Sequence, residues 1–301
     1  MLNNKRASAV LLSTIFIVSM ILNTIACYII VYKVKRKKLT HWVVISISIA
    51  NLLETIIGLL PEIVMSDKPL LKKTPLCVTG SYAVFGLAIT SITHLLVLSL
   101  IRTAAIKYPI FWRHFYLKIS STVWCKATLI IFCYSYGFSW ATFPVLGWSK
   151  YEIDLNKKHC SLDWKLTQSN SLSYILTILI FCSIFPGLVI TCASYICKKA
   201  ITLQKTSYIR NKNSRPMYTL KKEHLKVCFL SALLFFVTWT PYTVVGVLTL
   251  FRIIIPTELV TIASLFSKLS TISNVLINCF INKPFRKHLL NLRLVRLVIN
   301  K

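Results

Sequence analysis

Within SLFSKLSTISN, residues 264–274, Lys268 is the single charged side chain in an otherwise uncharged stretch. It lies ten residues inward of Glu258, about 15 Å along a helix. From that depth the stem would be strained in reaching water. A primary amine held there is a nucleophile that can condense with an aldehyde and keep it as a Schiff base. Two carboxylates, Glu54 and Glu62, share another apolar window, 42–66. Ionisable groups at membrane depth are functional candidates by default. The bland alternative for Lys268 is an ion pair that merely locks two helices, or a lysine facing a wet cavity.

The elements that must position these groups are membrane helices. The chain is 55% hydrophobic and 15% charged, with a mean hydropathy of +0.67, outside the range of a soluble domain. Windows of more than the ~20 residues needed to cross a bilayer recur at 8–32, 42–66, 78–101, 127–149, 166–197, 227–251 and 259–282. Glu54, Glu62 and Lys268 carry all their formal charge. The expected fold class is an all-α membrane protein, a seven-transmembrane bundle forming a single domain over 1–301, without repeats or flexible linkers. After the seventh window, NKPFRKHLLNLRLVRLVIN alternates Leu and Val with Arg and Lys. It predicts an amphipathic helix over 284–297 lying on the inner membrane surface, with Pro284 tolerated in its first turn.

Basic residues cluster at 33–38, 102–118, 198–226 and after Lys283. By the positive-inside rule these segments face the cytoplasm and the N-terminus lies outside, although 67–76 and 150–165 also carry lysines. The first helix is expected to act as its own uncleaved insertion signal. The net charge of +28 is assigned to anionic inner-leaflet lipid rather than nucleic acid; the remaining basic surface can dock an acidic cytosolic partner. Of ten cysteines, Cys77 and Cys160 are the ones placed where an oxidising compartment reaches them, so one disulfide is expected between them.

On the sixth helix, Phe235, Trp239 and Tyr242 fall at i, i+4 and i+7, turning three aromatic rings to one face. Such stripes are usually ordinary core. Here Pro241 follows Trp239 and should kink the helix just below the ring, so ring movement and bending can be coupled.

The local motifs resemble the rhodopsin-like G-protein-coupled receptors in chain order: Asn23 in helix one, SIANL with Asn51 in helix two, LSLIRTAAIKYP with Arg102 in helix three, Pro186 in helix five, FVTWTPY in helix six and NVLIN in helix seven. Within that family PVLGWSKYEIDLNKKHCSLDW and SKLSTISNVLINCFINKPFR resemble the opsins, and Lys268 stands at the opsin spacing from Asn274. The resemblance implies a plasma-membrane light sensor, not an enzyme and without a metal site. It would bind 11-cis-retinal through Lys268, walled by Phe235, Trp239 and Tyr242, and signal through a heterotrimeric G protein by way of Arg102, Asn274 and Asn278.

An invertebrate, cnidarian-like lineage would imply a stimulatory G protein. The chain departs from the family pattern where Ile101 and Thr103 flank Arg102, Lys221 replaces an acid, Val275 and Asn278 replace proline and tyrosine, and Tyr134 replaces a tryptophan. These changes imply no resting ionic lock and noisier or weaker coupling.

A protonated Schiff base in a low-dielectric bundle needs a nearby anion. Vertebrate visual pigments place a glutamate on helix three, where this chain has Gly80. The replacements are Glu62, beside Pro61, and Asp154, six residues before Cys160. Asp154 neighbours Lys150, Lys157 and Lys158 and can stay wet, so Glu62 is expected to be the principal counterion, with Asp154 secondary; Glu54 is assigned to a polar network around Asn51. The competing functions are a retinal photoisomerase or non-signalling relative with the same pocket, and a receptor for a diffusible ligand. The second is disfavoured by the lack of an acid in helix three between Cys77 and Arg102. A transporter is disfavoured by the absence of repeats.

Overall fold

The computed structural model describes residues 2–35, 37–64, 70, 72–110, 122–154, 157, 159–210, 215–280, 285, 286 and 289. Seven rods form a bundle. α1 runs Leu2–Tyr28 and ends in a π turn, Ile29–Lys33; α2 is Leu39–Glu54, a π turn Thr55–Leu59 and Leu60–Val64; α3 is Pro75–Lys107; α4 is Val123–Thr142. α5 is Ser171–Ile178, a π turn Leu179–Ile184 and Phe185–Arg210; α6 is Arg215–Leu250; α7 is Thr257–Lys268, Ser270–Val275 and a π turn Leu276–Phe280. Among the described residues, α1, α2, α3, α5 and α6 are each long and apolar enough to cross a membrane on length and composition. α7 is broken into shorter pieces and α4 is a single helix of 20 residues.

The bundle is apolar outside and partly polar inside, as a lipid solvent requires. Ile17 and Ile21 on α1, Ile131 and Phe132 on α4, Leu188 on α5 and Phe229 and Leu233 on α6 are exposed, whereas Asn23, Asn51, Ser91, His94 and Thr271 are buried. Close approach of α3 and α4 depends on Gly137: a Cβ there would sit 2.5 Å from the Gly86 carbonyl oxygen and 2.2 Å from Thr90 Oγ1. Beside it, Tyr134 donates to the Ser46 carbonyl at 3.3 Å and meets the His94 ring edge-on. The residue replacing the family's tryptophan thus ties α4 to both α2 and α3.

Helix ends differ from the apolar windows for local reasons. α3 starts three residues before its window because Thr74 caps it, accepting from the Cys77 amide, and Pro75 occupies the first turn. α4 stops at Thr142 rather than 149: Pro144 disfavours continued helix and Gly147 takes a positive φ of 98°. α5 starts at Ser171 rather than 166, with Leu166 at positive φ and Asp163 Oδ2 accepting from the Gln168 amide and the Thr167 and Ser171 hydroxyls. Between α4 and α5 the chain forms a feature absent from the all-α expectation, an antiparallel hairpin of β1 (Tyr151–Ile153) and β2 (Cys160–Leu162), with Tyr151 opposite Leu162 and Ile153 opposite Cys160.

The predicted amphipathic helix at 284–297 falls almost wholly outside the described residues. Of its described members, Phe285 is buried against an inner cluster with Ala26, Ile29, Val43 and Val275.

Candidate functional site

Local breaks in helical regularity shape the site, and those in α2 and α7 adjoin its charged groups. In α2, Pro61 cannot donate to the carbonyl four residues back and its ring crowds that turn. The preceding backbone widens into the π turn Thr55–Leu59, which changes the rotational phase of everything after it. Glu62 follows directly. In α5 a matching π turn precedes Pro186, with the Phe185 amide bonding to the Ile180 carbonyl.

In α7 hydroxyls bond back to the main chain: Ser267 to the Ser264 carbonyl at 2.8 Å, Thr271 to the Lys268 carbonyl at 2.9 Å and Ser273 to the Ser270 carbonyl at 3.2 Å. Such bonds compete with the helical ladder, and the α-helix is interrupted at Leu269, immediately after Lys268. The Thr271 carbonyl accepts from both Asn23 and Asn51 at 3.1 Å, and the Asn51 side-chain oxygen accepts from Ser91 at 3.3 Å. That network fixes α7 against α1, α2 and α3 one turn below the lysine.

Above it lies a cavity of about 660 Å³, whose wall includes Lys268, Glu62, Glu54, Gly80, Trp239 and Tyr242. Lys268 Nζ donates to Glu62 Oε2 in a direct ion pair. The two side chains are 14% and 6% exposed, so solvent screens the pair little. Glu54 also faces the cavity, and one of its oxygens, Oε2, has no hydrogen-bond partner. This corrects its assignment to the Asn51 network: eight residues from Glu62 across a π turn, it is turned toward the cavity. Gly80 leaves open space, with no atom within 4 Å of where a Cβ would stand.

Of the three aromatic residues on α6, Trp239 and Tyr242 line the cavity. Phe235 lies one turn inward, buried with Ile92, Leu95, Ile190 and Ala232 against Trp239. It supports the wall without forming it.

The hairpin is the lid. Cys77 and Cys160 are disulfide-bonded, with Cα atoms 5.5 Å apart; Ser81 donates to the Cys160 carbonyl and Tyr151 to the Ala141 carbonyl. Trp164, just after β2, meets Tyr242 edge-to-face at 5.2 Å. On the outer side Glu152 pairs with Lys73 at 3.1 Å and Lys150 at 3.2 Å. Burial pushes the Glu152 carboxyl up, but the two lysines outweigh it and hold the group below its usual range.

Asp154 is not wet: it is 3% exposed and accepts from Ser161 at 2.8 Å. Its lysine neighbour in sequence, Lys150, turns to Glu152 instead. Asp154 lies behind the cavity wall, in the outer cleft lined by Lys157 and Trp164. The group that reaches from it toward Glu62 is His159, a residue the sequence argument missed. The available signal was its place directly before the lid cysteine.

Because the disulfide anchors this lid to α3, Cys77→Ser or Cys160→Ser should cost about 2–5 kcal/mol of stability and lower cell-surface expression. Normal surface levels and thermal stability in both single variants would show that the lid holds without the bridge.

At the inner end, Arg102 and Lys221 are buried, and Thr103, where the family carries tyrosine, bonds to the Ser99 carbonyl at 2.8 Å and the Ala193 carbonyl of α5 at 3.3 Å. Asn274 is buried on α7; the Asn278 side chain lies outside the described residues.

The model of the 7 transmembrane receptor (rhodopsin family) matches residues 22–283. The chain is 31% identical to mouse (Mus musculus) Opsin-3 over 56% of its own length and 43% of that protein's, so it spans less than half of this relative. It is 25% identical to chicken (Gallus gallus) pinopsin over 94% of its length and 79% of pinopsin's. The crystal structure of squid rhodopsin superposes with a TM-score of 0.83 at 18% identity, covering 99% of this chain and 88% of that one. With its multi-pass bundle, lidded cavity and matched motifs, the chain belongs to the rhodopsin family of seven-transmembrane receptors, and its relatives named here are opsins.

Proposed function

We propose that the chain is a light-sensing receptor that binds 11-cis-retinal at Lys268 and passes the light signal to a heterotrimeric G protein. One observation carries the reading: an amine at membrane depth, ion-paired to a buried carboxylate, faces a cavity walled by Trp239 and Tyr242. A pocket of this size and largely apolar lining suits a small apolar ligand, and the amine supplies the covalent hold. Retinal, when bound, supplies the aldehyde and a polyene that changes shape on absorbing light.

The chain's own residues do the rest. Lys268 anchors, and Glu62 holds negative charge against its nitrogen and so keeps a proton there. The disulfide-tied hairpin excludes bulk water. Trp239, two residues before Pro241 in the continuous helix α6, converts a push on its ring into bending of that helix. The inner end, with Arg102, Asn274 and Asn278, is the proposed coupling surface, and a stimulatory G protein is the subtype that an invertebrate-type resemblance implies. The plasma membrane is the proposed location, with the lid and N-terminus extracellular, a placement supported by the disulfide and the basic inner loops.

The test is to add 11-cis-retinal to purified protein, record the absorbance spectrum in the dark and after illumination, and measure nucleotide exchange on stimulatory and other G-protein α subunits. A visible band that shifts with light, together with light-dependent exchange, is the expected result. A shifting band without exchange on any subunit would leave a photoisomerase or non-signalling role. No visible band would remove the retinal reading.

A further inference from the structure

The lid places an imidazole between the two carboxylates that compete for the counterion role. His159 Nδ1 stands 3.9 Å from Glu62 Oε1, and His159 Nε2 stands 3.8 Å from Asp154 Oδ2. These separations are longer than hydrogen bonds but well within the range of charge attraction. Neither Asp154 Oδ2 nor His159 Nδ1 has a hydrogen-bond partner among the described residues.

The position is built rather than accidental. His159 precedes the disulfide cysteine, and its carbonyl accepts from the Asp154 amide at 2.9 Å, closing the hairpin turn. Its side chain is 30% exposed, so the ring reaches both the buried acids and the outside.

We propose that His159 is a charge-bearing bridge joining Asp154 to Glu62, and that its proton state sets how much negative charge the Lys268 nitrogen experiences. The proposal deepens the retinal reading above and rests on it for its functional meaning. A neutral imidazole has one N–H and can serve one carboxylate, whereas an imidazolium has two and faces both.

The charge arithmetic follows from the groups around the ring: Glu62 from α2, Asp154 from the hairpin turn, and Lys268 from α7 on the far side of Glu62. Tyr242 from α6 adds a hydroxyl near Asp154. Lys157 sits in the same turn, while Lys73 and Lys150 are occupied by Glu152. With neutral His159 the set Lys268, Glu62 and Asp154 carries one net negative charge; with the imidazolium it is balanced. Histidine is the side chain whose charge changes across physiological pH. Acidifying the outer medium therefore weakens the hold of the acids on the proton of the Lys268 nitrogen, and raising the pH strengthens it. His159 is in this sense a positioning residue acting through Glu62.

Two measurements test the bridge. In unliganded protein labelled with ¹³C-histidine, the His159 resonance is assigned by its loss in His159→Gln and titrated by NMR. Glu62→Gln and Asp154→Asn should each move its midpoint lower, since each removes an opposite charge. A shift in neither variant, or in only one, overturns the bridge whether or not retinal binds. In retinal-reconstituted protein, the visible maximum should move with pH across the histidine range and stay fixed in His159→Gln with the band retained. Equal pH responses in the two proteins would overturn the coupling to the Lys268 nitrogen. If the NMR shifts appear but no pigment forms, the retinal reading fails and the bridge stands.

Discussion

Lys268→Ala should abolish covalent retinal binding and leave no visible pigment, while the bundle still inserts and folds. Glu54, Glu62 and Lys268 are the formal charges within the seven apolar windows, so no second lysine lies deep enough to take its place. Borohydride reduction of the reconstituted protein followed by peptide mapping checks this; an adduct retained in the variant would remove Lys268 from the site. The same substitution has a second, separable effect. It leaves Glu62, 6% exposed, without its cation, and breaking a buried pair from one side costs on the order of 3–5 kcal/mol unless the survivor neutralises. Unliganded Lys268→Ala should therefore lose thermal stability, and the double variant Lys268→Ala/Glu62→Gln should regain most of it. Equal stability of wild type and Lys268→Ala would show that the ion pair contributes nothing to holding α2 against α7.

The next largest effect is expected of Glu62→Gln, which should convert the visible band to a near-ultraviolet one at neutral pH. The sign follows from the pair. An anion beside a protonated nitrogen favours the charged form, so removing the anion makes the proton easier to lose. The visible band should then return only as the pH is lowered. Asp154→Asn should have a smaller effect, because Asp154 lies behind the cavity wall and is linked to the pair by way of His159. Gly80 offers a rescue: it lines the cavity and has room for a side chain, so Glu62→Gln/Gly80→Glu should recover visible absorbance. A dark titration of Glu62→Gln that overlays the wild type would sink the assignment of Glu62.

The membrane architecture was legible because it rests on quantities that composition and local pattern carry. A helix must bury its own backbone bonds in lipid, so each crossing leaves an apolar window, and the windows mark seven rods. The ends of those rods were less legible. Hydropathy reports where lipid stops, whereas Thr74 and Pro75 start α3, and Pro144 and Gly147 end the α4 region, through capping and backbone sterics. The cysteine pair was legible by location: Cys77 and Cys160 were expected together at one end of the bundle, and the structure joins them.

By itself, then, the sequence determined that this is a seven-helix membrane chain with an amine and two acids at depth and a cysteine-tied outer loop. Those properties depend on residue type and on distance along a helix. Which acid meets the amine is a different kind of fact. Glu54 and Glu62 lie on one helix, and the π turn Thr55–Leu59 between them resets the phase by which their faces would be compared. The interruption at Leu269 aims Lys268, and it arises from hydroxyl bonds to carbonyls that no apolar periodicity encodes. Asp154 was expected to be wet because lysines neighbour it in the chain, yet hairpin pairing turns Lys150 toward Glu152 and buries Asp154 beside Ser161. His159 gained its place between the two acids through the same fold. Only the tertiary structure could decide how Glu62 meets Lys268 and how Asp154 and His159 approach them, because these groups come from different elements whose relative rotation is set by prolines, π turns and strand register rather than by any one residue's own preference.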